Sequence, residues 1–179
     1  MKILMIIGTI LVCGFTIFAQ TKKPESVYTN LNEKFCKTLE QSDEGAGWYR
    51  GECPGVGGYK LQVTEGDIRQ SIDVIMPNKT RFEMDLTVNV SPAFSSVGEK
   101  AEWRVTRKGK SVVPYALIVR YNASENSEKP EQNTSYLVVI KITKNLACIT
   151  DVVKPSAKAN EQARELADAS VNKNCVSRE

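Results

Sequence analysis

The sequence predicts an α+β protein: an antiparallel, meander-like β-sheet followed by a C-terminal amphipathic helix, stabilised by disulfides. Three observations carry this prediction. Residues 81–90 alternate strictly, with Phe82, Met84, Leu86, Val88 and Val90 on one side and Arg81, Glu83, Asp85, Thr87 and Asn89 on the other. A period of two belongs to a half-buried strand. After Pro155 the period lengthens, with Ala159, Ala163, Leu166, Ala167 and Val171 recurring at helical spacing. Cys36, Cys53, Cys148 and Cys175 then form an even set in a chain whose first residues read as an export signal.

That signal occupies residues 1–19. Lys2 is followed by an uncharged, largely apolar run over residues 3–18, and Ala19 closes it before Gln20-Thr21-Lys22-Lys23. A single positive charge, an apolar stretch and a small residue make the three-part secretory pattern. The run falls short of the roughly 20 apolar residues of a membrane span, and Gly8, Thr9, Gly14 and Thr16 dilute it further. A retained anchor is the alternative. Cys13 follows Val12, where a lipid-attachment signal needs a small residue, so the expected product is not a lipoprotein. Residues 20–179 then make one secreted domain with a loose start, ample for one buried core. Its charge is 23 basic against 21 acidic side chains, net +2, because only Lys2 of the charged residues is lost. The signs are interspersed, which argues against nucleic acid as the partner, and no later segment of this domain is long and apolar enough to span a membrane.

Within the domain, the first hairpin should join residues 59–63 to a strand beginning at Ile68, across Glu65-Gly66-Asp67. In that second strand Ile68, Ile72, Val74 and Met76 share one face, and Asp67, Arg69, Ser71 and Asp73 the other. Pro77-Asn78-Lys79-Thr80 turns the chain into the alternating run at 81–90. Ala101, Trp103 and Val105 define the next strand, and Arg107-Lys108-Gly109-Lys110 returns it through Val112 and Val113. Pro114 cannot donate to a ladder and marks a bulge or an edge. Residues 115–121 resume as strand, and residues 122–134 form a polar hairpin loop with no apolar side chain larger than alanine. Residues 136–142, nearly all apolar, read as a central strand covered on both faces, and residues 148–153 as a short last strand. The expected disulfides are Cys36–Cys53 and Cys148–Cys175, the second clipping the helix to the sheet. Each contributes about 3 kcal/mol in the chain-entropy model.

The chain contains no histidine, which removes the usual neutral-pH base, the Ser-His and Cys-His pairs and the common zinc sites. No cofactor or metal is implied. Ser170-Val171-Asn172-Lys173 has Ser-x-x-Lys spacing without the motifs that accompany it in acyl transferases. Gly51-Glu52-Cys53-Pro54-Gly55-Val56-Gly57-Gly58 lacks the Gly-Lys-Ser/Thr ending of a phosphate loop and reads as a tethered tight turn. Two candidate binding features remain. One is the polar strand face carrying Asp67, Arg69 and Ser71 beside Glu102 and Arg104; as a solvated face, it predicts a cost of only about 0–1 kcal/mol for Arg69→Ala. The other is an aromatic patch of Trp48, Tyr49 and Tyr59, whose alternative fate is to cap the core. Four Asn-x-Ser/Thr acceptor patterns begin at Asn78, Asn89, Asn122 and Asn133, with those in the polar loop the accessible ones.

Cys53-Pro54-Gly55-Val56-Gly57-Gly58-Tyr59, Asp67-Ile68-Arg69-Gln70-Ser71, Gly98-Glu99-Lys100-Ala101-Glu102-Trp103-Arg104 and Ala159-Asn160-Glu161-Gln162-Ala163-Arg164 together resemble a group of small secreted bacterial proteins of unknown function. The resemblance implies bacterial export and transfers no functional residue. With no catalytic constellation, the sequence leans toward a non-enzymatic binding protein of the periplasm or exterior, with a protein or glycan of the envelope or exterior as partner. Inhibition of an envelope enzyme is one form of this; bacterial lysozyme inhibitors are small exported β-rich proteins too, an analogy of fold alone. A carboxylate-dependent glycan hydrolase and a structural accessory of an envelope complex are the alternatives. If residues 1–19 are a signal, intact mass of the exported protein will show a chain beginning at Gln20; Met1 retained in the membrane fraction would make the segment an anchor.

Overall fold

The computed structural model describes residues 24–176. The expected signal peptide and its cleavage site lie outside the described residues. Ten strands form one mixed sheet. In chain order they are β1 (Glu25–Asn30), β2 (Lys37–Ser42), β3 (Trp48–Pro54), β4 (Lys60–Gly66), β5 (Arg69–Ile75), β6 (Arg81–Glu83), β7 (Ser95–Lys108), β8 (Ser111–Ala123), β9 (Thr134–Ile142) and β10 (Ala147–Val153). A short helix α1 (Leu86–Asn89) precedes β7, and α2 (Ala159–Ala169) follows β10.

The sheet runs β10-β9-β8-β7-β5-β4-β3-β2, with β1 added to β7 and β6 to β5. Its pairs are antiparallel except one, a parallel bridge between Arg69 and Ser95 that joins β5 to β7. The expected all-antiparallel sheet is therefore corrected at that step. The reason lies in the edge of β7, which serves two partners. Ser95 bridges β5, whereas residues 100–105 pair with β1. β7 leaves β5 after one bridge, and the sheet opens into two halves, β2–β6 and β1 with β7–β10. The main core fills the space between them: Leu61, Ile72 and Val74 from one half meet Trp103, Leu117 and Ile140 from the other. Trp103 is fully buried, and its indole N–H donates to Thr29 Oγ1 at 2.8 Å, fastening β1.

A second apolar layer covers the outer face of β8–β10. Ala159, Ala163 and Ala167 of α2 pack on Ala116, Ile118, Leu137, Val139 and Val153. Three alanines on one stripe let the helix axis lie close to the sheet. β9 is thus covered on both faces, as its apolar run predicts. Both expected disulfides are present, Cys36–Cys53 and Cys148–Cys175. Tyr115 is the extra residue of a bulge, since Arg104 pairs Ala116 and Val105 pairs Pro114; the proline sits at the irregularity it was expected to mark.

The alternating run at 81–90 is not one strand. Only β6 pairs, opposite residues 73–75 of β5. Asp85 then takes a left-handed conformation (φ 45°), and α1 begins at Leu86, whose N–H donates to Ser71 Oγ at 3.0 Å. Ile68 is also moved from its expected place. It and Asp67 (φ 57° and 52°) form the two-residue turn of the β4–β5 hairpin, the geometry whose twist suits a tight hairpin. Ile68 is 60% exposed.

Arg69 starts β5 at the point where the halves part. Its guanidinium lies 4.6 Å from the centre of the Phe94 ring, Nε donates to Pro92 O at 2.8 Å, and a second nitrogen bonds the Asp67 carboxylate. These contacts hold the segment entering β7 against the end of β5, so Arg69 is a clamp at this junction. The small cost expected of Arg69→Ala gives way to a larger one, about 1–3 kcal/mol, from the cation–π contact and a charge-assisted hydrogen bond to a carbonyl. Denaturant unfolding of the purified protein measures it. A change below about 0.5 kcal/mol, the size of an ordinary surface substitution, would show that the junction does not depend on this side chain.

Candidate functional site

Between Ser95 and Lys100 the β7 edge lacks a strand, and Gln70 takes the partner's place. Its side-chain oxygen accepts the Val97 N–H at 2.8 Å, and its amide donates to Glu65 at 2.6 Å. The gap is the floor of a cleft of about 380 Å³, bounded by Leu31, Val63, Gln70 and Val97 and by the β2–β3 turn. Glu33, Asp43, Glu65 and Glu99 are in its lining together with Trp48 and Tyr49, and no lysine or arginine is. Trp48 is 43% exposed. Among the described residues none of the four carboxylates enters a salt bridge. Tyr49 lies flat along its own strand: a Cβ on Gly51 would fall 1.9 Å from the Tyr49 hydroxyl. Gly51 thus lets the ring occupy its place and form one wall of the cleft.

The structure separates the aromatic trio read from the sequence. Tyr59 lies 6.3 Å from Trp103, ring centre to ring centre, and packs on the core. It caps the interior, while Trp48 and Tyr49 line the cleft. The polar face is likewise divided. Asp67 and Arg69 belong to the β4–β5 turn and the clamp, and Ser71 caps α1. Glu102 and Arg104 lie on the other half of the sheet, beneath α2. The expected common solvated face does not form, and the reason is packing: α2 covers Glu102 and Arg104 of β7. Arg104, 7% exposed, makes two hydrogen bonds to Asp168, at 2.8 and 2.7 Å, and Tyr115 donates to the same carboxylate. Glu102 accepts two from Arg164 at 2.7 and 3.1 Å, and Ser26 bridges Glu102 and Arg104.

Burial alone would raise the Glu102 carboxyl, but hydrogen bonds from Arg164 and Ser26 outweigh it and hold it below the usual carboxylate range. Asp168 behaves alike, with burial opposed by Arg104 and Tyr115. Burial, aided by Asp168, pushes the Tyr115 phenol up to about 12. These groups dock the helix and remain fixed in charge through neutral pH. The other sequence motifs are absorbed in the same way. Ser170 is fully buried and Lys173 is paired with Asp151 at 2.7 Å, so the Ser-x-x-Lys spacing does not make a nucleophile pair. Asn122 Oδ1 accepts from Ser135 Oγ at 2.8 Å, and Asn89 donates to Met84 O at 2.7 Å.

Neither the sequence's face nor its patch included Glu33, Asp43, Glu65 and Glu99. They come from four separate segments and share no spacing; only the gap in β7 pairing brings them to one cleft. Among the described residues no group of three or more metal-ligating side chains is arranged to hold an ion. No helix of the described residues is long and apolar enough to cross a membrane.

One carboxyl has the raised proton affinity of a general acid. Burial pushes Asp73, 3% exposed, up to about 6, with Glu83 and Asp85 adding to the push and Arg81 opposing it. Asp73 is outside the cleft lining, on the outer side of β5 opposite Gln62 and Glu83. A folded pKa above the unfolded value near 4 means the folded state holds the proton more tightly. Its contribution to stability is full below pH 4 and declines as pH rises to about 6. Asp73→Asn should therefore gain stability relative to the native chain between pH 4 and 7, by up to about 3 kcal/mol at the top of that window. Thermal unfolding of both proteins across this range reads the difference; a difference independent of pH would remove Asp73 as the titrating group.

Comparison with protein-family models, curated proteins and solved structures returns no match, so a functional reading rests on the geometry of this molecule.

Proposed function

We propose that this chain is an exported, non-enzymatic binding protein of the bacterial periplasm or exterior. Its cleft takes a basic segment, bearing lysine or arginine, of an envelope or secreted protein. The carrying observation is the concentration of Glu33, Asp43, Glu65 and Glu99 around an exposed Trp48, without a cation in the lining. The whole sequence has a formal charge of +3, so this negative field is local and selects its ligand by sign. Trp48 adds an aromatic face on which a guanidinium or ammonium can rest, worth about 0.5–2 kcal/mol. The Cys36–Cys53 disulfide, which ties the segment carrying Glu33 to β3, favours a preformed site. Inhibition of a cationic envelope enzyme is the form of binding that this chemistry best suits.

A glycan hydrolase would need paired carboxyls in the cleft, one of them held protonated as the acid. Asp73, the carboxyl that burial pushes up, is not among the cleft residues, which favours binding over catalysis.

An arginine-rich hexapeptide and its glutamate counterpart test the reading, with Trp48 fluorescence as the signal. The basic peptide should bind, and more weakly as salt rises. Changing Glu33→Gln with Asp43→Asn, two carboxylates outside every salt bridge, should weaken it at least about tenfold, equivalent to about 1.4 kcal/mol. Equal binding of the acidic peptide, or no effect of the double change, would contradict the proposal.

A further inference from the structure

A second groove lies on the other face of the β7 half, between α2 and the sheet. It has a volume of about 230 Å³, and Tyr28, Lys100, Arg120, Asn160 and Arg164 are among its lining residues. A shallower extension of about 470 Å³ shares Lys100 and Arg120 and adds Ser96, Glu99 and Asn122 among its lining residues. The backbone builds this arrangement. Val97 pairs Tyr121 and Ala101 pairs Val119, so Gly98, Glu99 and Lys100 together oppose Arg120 alone. Such a bulge bends the strand and re-aims its side chains. Gly98 is needed at this point, because a Cβ there would lie 2.8 Å from the Arg120 Cβ. The bulge thereby brings Lys100 and Arg120 into one groove.

The charges of the groove are not balanced. Arg164 is occupied by Glu102. Arg120 is held by neutral acceptors, Ser135 Oγ at 2.7 Å and Asn160 Oδ1 at 3.3 Å, and Ser135 is held in turn by Asn122. Among the described residues neither Lys100 nor Arg120 enters a salt bridge. An arginine oriented without a counter-charge keeps donors free for a planar or tetrahedral oxyanion. The ring of Tyr28, 52% exposed, offers an apolar face beside these cations. The extension, lined by the Ser96 hydroxyl, the Asn122 amide and, at its border with the acidic cleft, the Glu99 carboxylate, has more room than a lone ion fills, and the cations Lys100 and Arg120 outnumber that one carboxylate. We propose that this groove binds an acidic saccharide, with its carboxylate or sulfate between Lys100 and Arg120, a sugar face on Tyr28 and further hydroxyls along Ser96 and Asn122. The extension meets the acidic cleft at Ser96, Val97 and Glu99, which line both, whereas Tyr28, Lys100 and Arg120 line only the groove side.

Calorimetric titration of the purified protein with trigalacturonate, with its neutral trisaccharide counterpart and with inorganic sulfate tests the proposal. Trigalacturonate should bind, the neutral sugar at least tenfold more weakly, and sulfate more weakly than trigalacturonate. Arg120→Gln should weaken trigalacturonate at least tenfold. Lys100→Gln, which among the described residues removes no side-chain hydrogen bond or salt bridge, should weaken it about three- to tenfold with the melting temperature unchanged. Absence of trigalacturonate binding, binding indifferent to Lys100→Gln, or sulfate binding as tightly as trigalacturonate would each overturn the assignment.

Discussion

The divided edge of β7 is the constraint on which this molecule depends. A strand edge offers one row of donors and acceptors, and here β5 takes it at Ser95 while β1 takes it from Lys100 onward. The interval between must satisfy its backbone groups by other means, since an unpaired buried N–H costs about as much as a lost hydrogen bond. Gln70 supplies the missing acceptor for Val97, and Arg69 ties the incoming chain through Phe94 and Pro92. The core fits between the halves because they part at this point. The same parting opens the acidic cleft at one end of the core.

The two faces of β7 then acquire different characters. Residues 101, 103 and 105 turn into the core, and residues 102 and 104 turn toward α2. The bulge at residues 98–100 breaks this alternation between the two segments. Glu99 stands at the border, lining both the acidic cleft and the extension of the groove, and Lys100 belongs to the groove by α2. A few residues of irregular pairing thus stand between a site that attracts cations and one that attracts anions. The ion pairs under α2 contribute to this division: Glu102 and Asp168 are satisfied by Arg164 and Arg104, so neither carboxylate is left to neutralise Arg120.

Local pattern made much of this legible from sequence. The β4–β5 and β7–β8 hairpins, the covered strand β9, the terminal helix and the cysteine pairs all follow from period, turn residues and spacing. What escaped has physical reasons. β1 and β2 are short and polar, and β2 is exposed along most of its length, so they lack the apolar alternation that marks a strand. Residues 81–90 carry that alternation in full, yet Asp85 turns left-handed and the Ser71 hydroxyl caps the helix that follows. A tertiary contact decided there against the local period. Trp48 and Tyr49 were visible as candidates. The four carboxylates were not, because they converge only through the β5–β7 crossing.

Amide hydrogen exchange at Val97, in the native protein and in Gln70→Ala, tests the crossing most directly. The account predicts a protected Val97 amide that exchanges much faster in the variant, while Val138 and Ile140 in β9 keep their protection. A Val97 amide that is unprotected in the native protein, or as protected in the variant as before, would contradict it.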